Sequence, residues 1–317
     1  MAATGDFAAP TFQALAASSH QLVGLITQPD RPAGRGRRLV ARSLKHAALD
    51  LGLMVMQPER VAGAEMLTQV AGLAPDVLVV VAYGQMIPAA LCELPVLGAI
   101  NVHASLLPAL RGAAPCNWAI IRGLRETGVT VQYLAQKMDA GDILGSRRCG
   151  IGSRETAPEL HDRLAAHGAE LALDVLAQIE AGTVRPVAQD ESQVTYAPRL
   201  KKDDGIVDWR LSARKIDCMV RGLKPWPGAY THIARRGKGS LRILLEEVML
   251  RDAGLAEPAA PGTVVDVGGG LVVATGDGLL DILSLKPQSG KVMSGKAFCN
   301  GHQVRAGDRF ALLAEQA

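Results

Sequence analysis

The chain has 317 residues, of which 48% are hydrophobic, 21% charged and 3% aromatic. That length and balance exclude a disordered chain and allow two domains, with cores built from Ala, Val and Leu rather than from aromatic rings. A net charge of +3 selects no partner by itself, no apolar run nears the ~20 residues of a membrane span, and no basic-then-apolar leader opens the chain.

In chain order, residues 11–18 have the spacing of a short helix, and 21–27 form an apolar run of strand length. A helix followed by a strand is an α/β unit without its first strand. Residues 28–38 then carry two prolines, two glycines and four arginines, which excludes regular structure. The plain reading is a solvated loop. The sharper one is a basic finger that grips phosphate, since the arginine fork suits phosphate oxygens. The GxxxxGK[ST] pattern is absent, so a nucleoside triphosphate is not indicated.

Helices follow at 43–51 and 64–72, with a short strand at 54–58 between them. Residues 75–84 form a β-branched strand of the kind buried in parallel sheets. It ends in Tyr83-Gly84-Gln85, at the carboxyl edge where open α/β sheets bind ligands. The next strand, 98–103, carries Asn101 and His103 two residues apart, so both face one side. Further strands at 128–134 and after 142, and a helix over 156–180 with Leu160, Leu164, Leu171 and Val175 as its spine, complete a doubly wound, Rossmann-like sheet. Residues 189–208 are polar and suit a linker. Short strand-like runs between Gly-rich turns then predict a small OB-like β-barrel. The predicted domains are 1–188, catalytic, and 209–317, the barrel, joined by the 189–208 linker.

The five cysteines (Cys92, Cys116, Cys149, Cys218 and Cys299) have no CxxC spacing and are odd in number. They are expected as reduced structural thiols of a cytoplasmic protein, without disulfides or a metal.

Asn101, His103 and a downstream Asp139 supply an amide, an imidazole and a carboxylate. Formyl transfer from one nitrogen to another needs donors for a developing oxyanion and an acceptor for the amine's proton. None of the three is a nucleophile, so direct transfer without an acyl-enzyme is expected. Alone, an Asn-x-His pair is more often a satisfied core pair. A hydrolase triad through Ser105 competes, but the GxSxG elbow is missing. A metal site on His103 and Asp139 would need further ligands that the neighbourhood does not offer.

The run Asn101-Val102-His103-Ala104-Ser105-Leu106-Leu107-Pro108, then Arg111-Gly112-Ala113-Ala114-Pro115 and Met138-Asp139-Ala140-Gly141-Asp142, resembles the formyltransferases that use 10-formyltetrahydrofolate. Within them it looks like the methionyl-tRNA formyltransferase family. Gln28-Pro29-Asp30-Arg31-Pro32-Ala33-Gly34-Arg35-Gly36-Arg37 is similar to that family's tRNA-gripping insertion, and Lys224-Pro225-Trp226-Pro227-Gly228-Ala229 and Ala274-Thr275-Gly276-Asp277-Gly278 also match. The resemblance implies that Asn101, His103 and Asp139 are catalytic. It implies that Ser105, Leu106, Leu107 and Pro108 line the folate site, with Tyr83 and Gly84 close by. It further implies that Arg35, Arg37 and Arg38 meet initiator methionyl-tRNA, and that the barrel holds more of the tRNA backbone. A monomer with no metal and no membrane partner is expected. The other readings are a formyltransferase for a small amine, such as a sugar nucleotide or purine precursor, and a tRNA-binding protein without catalysis.

The family begins with an apolar strand before a turn that here reads Thr4-Gly5-Asp6-Phe7, and no such strand is evident. The expectation is a sheet lacking its first, central strand, with either an upstream start or a damaged copy. Each unpaired buried backbone group would cost ~1–3 kcal/mol.

Overall fold

The computed structural model describes residues 1–33, 38–40, 43–235, 239–251 and 259–311. They fall into two compact units, one of Met1–Pro115, Glu126–Gly150 and Glu159–Pro198, the other of Cys116–Arg125, Ile151–Pro158 and Arg199–Ala317.

The elements of the first half are β1 (Ala2–Ala3), α1 (Ala9–Ala16), β2 (Gly24–Ile26), β3 (Arg31–Ala33), β4 (Arg38–Val40), α2 (Ser43–Asp50), β5 (Met54–Met56), α3 (Ala64–Gly72), β6 (Leu78–Val81), α4 (Ala89–Cys92), β7 (Ala99–His103), α5 (Pro115–Ile121), β8 (Glu126–Tyr133), β9 (Ile143–Gly150) and α6 (Ala157–Glu180). Among the described residues, strands β3 and β4 pair only with each other. The rest form a seven-stranded sheet in the order β5-β2-β1-β6-β7-β8-β9. The pairs from β5 through β7 are parallel and the last two are antiparallel.

The missing first strand is the expectation that needs correcting. Ala2 pairs with Ile26 on one side and Val80 on the other, and Ala3 pairs with Val81. The Ile26 amide donates to the Met1 carbonyl at 2.8 Å. Two alanines, each fully buried, fill the central slot. They escaped a reading based on period and β-branching because two small residues carry neither signal.

Alternation along the strands sorts the side chains onto two faces. Ala2, Ile26, Met56, Leu78, Val80 and Ala99 share one core cluster with Met66 and Val70 of α3 and Leu91 of α4. On the opposite face, Gly168 of α6 lies so close to Val102 that an added Cβ would stand 2.9 Å from it. The predicted spine of α6 is buried, with Leu160, Leu164 and Val175 at 0% exposure.

The second unit contains α7 (Ala213–Gly222), β10 (Ala229–Arg235), β11 (Gly239–Arg251), β12 (Val264–Asp266), β13 (Val272–Ala274), β14 (Leu279–Pro287), β15 (Met293–Ser294) and α8 (Gly295–His302). Its antiparallel sheet runs β10-β11-β14-β13-β12, with β15 beside β14. Phe310 bridges to Ile233 of β10, and Arg309 bridges to Thr263 just before β12, so one short segment joins both edges of the sheet. Trp209, fully buried, stacks on Phe310 and donates from its indole nitrogen to the Thr231 hydroxyl at 2.9 Å. A separate antiparallel β unit therefore follows the α/β unit, as the sequence predicted. No helix among the described residues is long and apolar enough to cross a membrane.

Candidate functional site

Strand β7 lies where the sheet turns from parallel to antiparallel. Its register on β8 places Asn101 opposite Gln132 and His103 opposite Thr130. Directly opposed residues share a face, so Asn101, His103, Thr130 and Gln132 make a four-residue polar patch. It lies on the face of Ala99, away from Val102 and α6.

The chain after β7 folds back over this patch. The Thr130 hydroxyl donates to the Ser105 carbonyl at 2.7 Å and accepts from the Leu107 amide at 3.1 Å. The Ser105 hydroxyl, itself fully buried, donates to the Ala109 carbonyl at 2.6 Å. Ser105 is thus committed to shaping the loop, which removes the nucleophile that a hydrolase triad would need. Leu106 and Pro108 are half-buried and Leu107 is buried. Ser105 and Leu107 are thus tied to Thr130, the residue opposite His103.

The His103 ring is buried, with Nε2 3.0 Å from the Leu110 carbonyl. A carbonyl only accepts, so Nε2 carries a hydrogen and Nδ1 is the nitrogen left to exchange a proton. Nδ1 faces Asp139 Oδ2 at 3.8 Å. That is too long for a direct hydrogen bond and short enough for an ion pair or a shared proton after a small shift. Asn101 is half-buried, and its side-chain amide has no hydrogen-bond partner among the described residues. The three residues proposed as catalytic are thus gathered at one place.

Asp139 is held from several sides. Its φ is +51°, a left-handed conformation that costs a non-glycine residue roughly 1–2 kcal/mol. The Gly112 amide donates to Oδ2 at 2.8 Å, and Gln132 Nε2 approaches Oδ1 at 3.4 Å. Gln189 Nε2 shares its two hydrogens among three acceptors, the Asp139 carbonyl at 2.9 Å, the Gly141 carbonyl at 2.7 Å and Gln132 Oε1 at 3.0 Å. Gln189 Oε1 accepts from Arg111 Nε at 3.1 Å and Nη2 at 2.7 Å. The Arg111 side chain is fully buried and also pairs with Glu191 at 2.7 Å, which in turn pairs with Lys137 at 2.8 Å. Arg111 and Lys137 pull the Glu191 carboxyl down to about 2.

Residues 189–198, taken from the sequence as the start of a linker, run within the first unit. Tyr196 bridges to Arg111, whose amide donates to the Thr195 carbonyl and whose carbonyl accepts from the Ala197 amide. Gln189, Gln132 and Glu191 were not legible as site residues. Gln132 left one trace, a polar side chain inside the buried strand 129–133, whereas Gln189 is one polar residue in a polar segment.

At the carboxyl edge of the parallel strands, Gln28 Nε2 donates to the Tyr83 carbonyl at 3.2 Å, and the Gln28 amide donates to the Thr4 hydroxyl at 3.2 Å. The Tyr83 ring lies in the α3–α4 core, where burial pushes its hydroxyl up to about 12. Only its backbone, with the exposed Gly84, reaches the edge. Arg35 and Arg37 lie outside the described residues, and of Arg38 only the backbone, in β4, is described. Lys45, which extended the positive charge in the sequence, is paired to Asp30 at 2.6 Å. Among the described residues, no group of three or more His, Cys, Asp or Glu could hold a metal ion.

Residues 1–176 match the family model described as formyl transferase, and residues 199–303 match formyl transferase, C-terminal domain. A protein of Geobacter metallireducens named methionyl-tRNA formyltransferase is 41% identical over 96% of this chain and 96% of its own length. One of the same name from Methylococcus capsulatus is 43% identical over 97% of each chain. Among solved structures, the N-formyltransferase of Helicobacter canadensis, in complex with folinic acid and dTDP-3-aminofucose, superposes with a TM-score of 0.62 at 14% identity, over 88% of this chain and 96% of that one.

Proposed function

This chain belongs to the formyl transferase family, and we propose that within it the chain transfers a formyl group from 10-formyltetrahydrofolate to the amino group of initiator methionyl-tRNA. The observation that carries the choice of acceptor is full-length similarity, at 41% and 43% identity, to relatives bearing that name.

The donor supplies a formyl carbon attached to a nitrogen that can leave. As the acceptor's nitrogen bonds to that carbon, the carbonyl oxygen gains charge, and the unpartnered Asn101 amide is the group free to donate to it. The attacking amine must lose a proton. His103 Nδ1 and Asp139 Oδ2 offer a place for it between them, at a separation of 3.8 Å. Returned from there, the same proton neutralises the leaving nitrogen as the old C–N bond breaks, so the exchange balances without an acyl-enzyme. The fit of the site to the donor rests on its chemistry: an unpartnered amide and a proton-holding pair, with the Ser105 hydroxyl already committed.

Arg35, Arg37 and Arg38 are the residues we assign to tRNA phosphates, with the β unit adding backbone contacts as an OB-like barrel would. The setting is the cytoplasm, and the working form is a monomer.

The test is a formylation assay with 10-formyltetrahydrofolate and charged initiator tRNA, run beside amino-sugar nucleotides. Transfer to the tRNA alone is expected. The Arg35→Ala variant should raise KM for tRNA and make the salt dependence of kcat/KM shallower by roughly one phosphate contact. Preferred formylation of the sugar amine would overturn the reading.

A further inference from the structure

Gln189 occupies a position where its orientation is dictated from behind. Arg111 can only donate, so the Gln189 oxygen must face the guanidinium and its NH2 must face the loop of Asp139. The NH2 then requires Gln132 to present its own oxygen, which turns the Gln132 NH2 toward Asp139 Oδ1. A buried charge that cannot be deprotonated thereby fixes two amides in sequence. The last of them donates toward the carboxylate opposite His103.

The same Gln189 NH2 holds the carbonyls of Asp139 and Gly141, the backbone on both sides of Ala140. A loop whose Asp sits at φ +51° is held in that state by these two contacts and by Gly112. Glu191 secures the other end, since it grips Arg111 Nη2 while Lys137, two residues before Asp139, grips Glu191.

We propose that Gln189 is a positioning residue for formyl transfer: anchored by Arg111, it sets the backbone of the Asp139 loop and, through Gln132, aims the Asp139 carboxylate at His103. The inference rests on the reading of Asp139 as catalytic. The Gln189 side chain is hydrogen-bonded to protein groups, and the proposed effect runs through Asp139.

Two variants, with Asp139→Ala as reference, test this. Gln189→Glu keeps the volume and the acceptor for Arg111 but removes the donor. Gln132→Leu cuts the relay one link later and leaves the Arg111–Gln189 contact intact. Each is measured for kcat and for KM toward both substrates, alone and combined with Asp139→Ala. A misplaced catalytic group typically costs on the order of 10²-fold, so each single variant should lose about that much in kcat while both KM values stay within about threefold. In the Asp139→Ala background neither should lower the residual rate further, because residues acting through one group are not additive. Unchanged kcat in both variants, or a full additional loss without the Asp139 carboxylate, would overturn the inference. If Gln189→Glu does not fold, Gln132→Leu decides by the same criteria. Full activity in Asp139→Ala would instead overturn the catalytic reading of Asp139.

Discussion

His103 and Asp139 face each other across 3.8 Å through Nδ1 and Oδ2, while the far nitrogen of the ring is tied to the Leu110 carbonyl at 3.0 Å. The ring nitrogen not tied to Leu110 therefore faces a carboxylate, an arrangement that becomes cohesive once a proton stands between them. His103→Ala removes that place and should lower kcat by about 10²–10⁴-fold with little change in KM. Asn101→Ala should cost about 10²–10³-fold, the loss seen on removing one oxyanion donor. Single-turnover formylation at saturating tRNA measures both, and a rate within threefold of wild type in either variant would reject its role.

Gly112 connects the loop of Arg111 to the carboxylate. Its φ of +124° excludes side chains, and an added Cβ would stand 2.6 Å from the Ala197 carbonyl. Gly112→Ala must move the backbone whose amide donates to Asp139 Oδ2. The expected result is a loss of roughly 1–3 kcal/mol in stability, with a fall in kcat beyond what the stability change explains. Urea denaturation and kinetics on the folded fraction separate the two, and wild-type kcat would show that the Gly112 contact is idle.

The strand–helix alternation and the shared face of Asn101 and His103 were legible because both are written in short range. Buried parallel strands are continuous apolar runs, and Asn101 and His103 share a face through the two-residue period. What was hidden depends on contacts that no local pattern records. Gln132 joins Asn101 only through antiparallel register. Gln189 joins Asp139 across fifty residues, from a segment whose polarity suits solvent and pairing equally well. Ala2 and Ala3 were hidden for another reason: a central strand slot was filled by the smallest side chains that can fill it.

The role of that strand predicts an asymmetry at its centre. Ala3 is fully buried and paired to Val81. Ala3→Asp would place an unpaired carboxylate in the middle of the sheet and should destabilise by about 3–5 kcal/mol, the range for an uncompensated buried charge. Chemical denaturation of the purified variant checks it. A loss under about 1 kcal/mol would mean that the slot contributes nothing to stability, contrary to its register.

Glu191 gives the clearest dependence on pH. Its carboxyl is drawn from 4.5 down to about 2, first by the hydrogen bond from Arg111 and then by that from Lys137. A group whose folded value is depressed contributes stability that is fully present above its unfolded value and lost as pH falls through the folded one. The contribution of Glu191 should therefore be constant above pH 4.5 and disappear between there and about 2. Glu191→Gln cannot titrate, so the melting-temperature gap between wild type and variant should be flat from neutral pH down to 4.5 and close on further acidification. Because Glu191 is exposed, added salt should narrow the gap at neutral pH. A gap that persists unchanged at pH 2 would show that the carboxylate's charge is not what anchors Arg111.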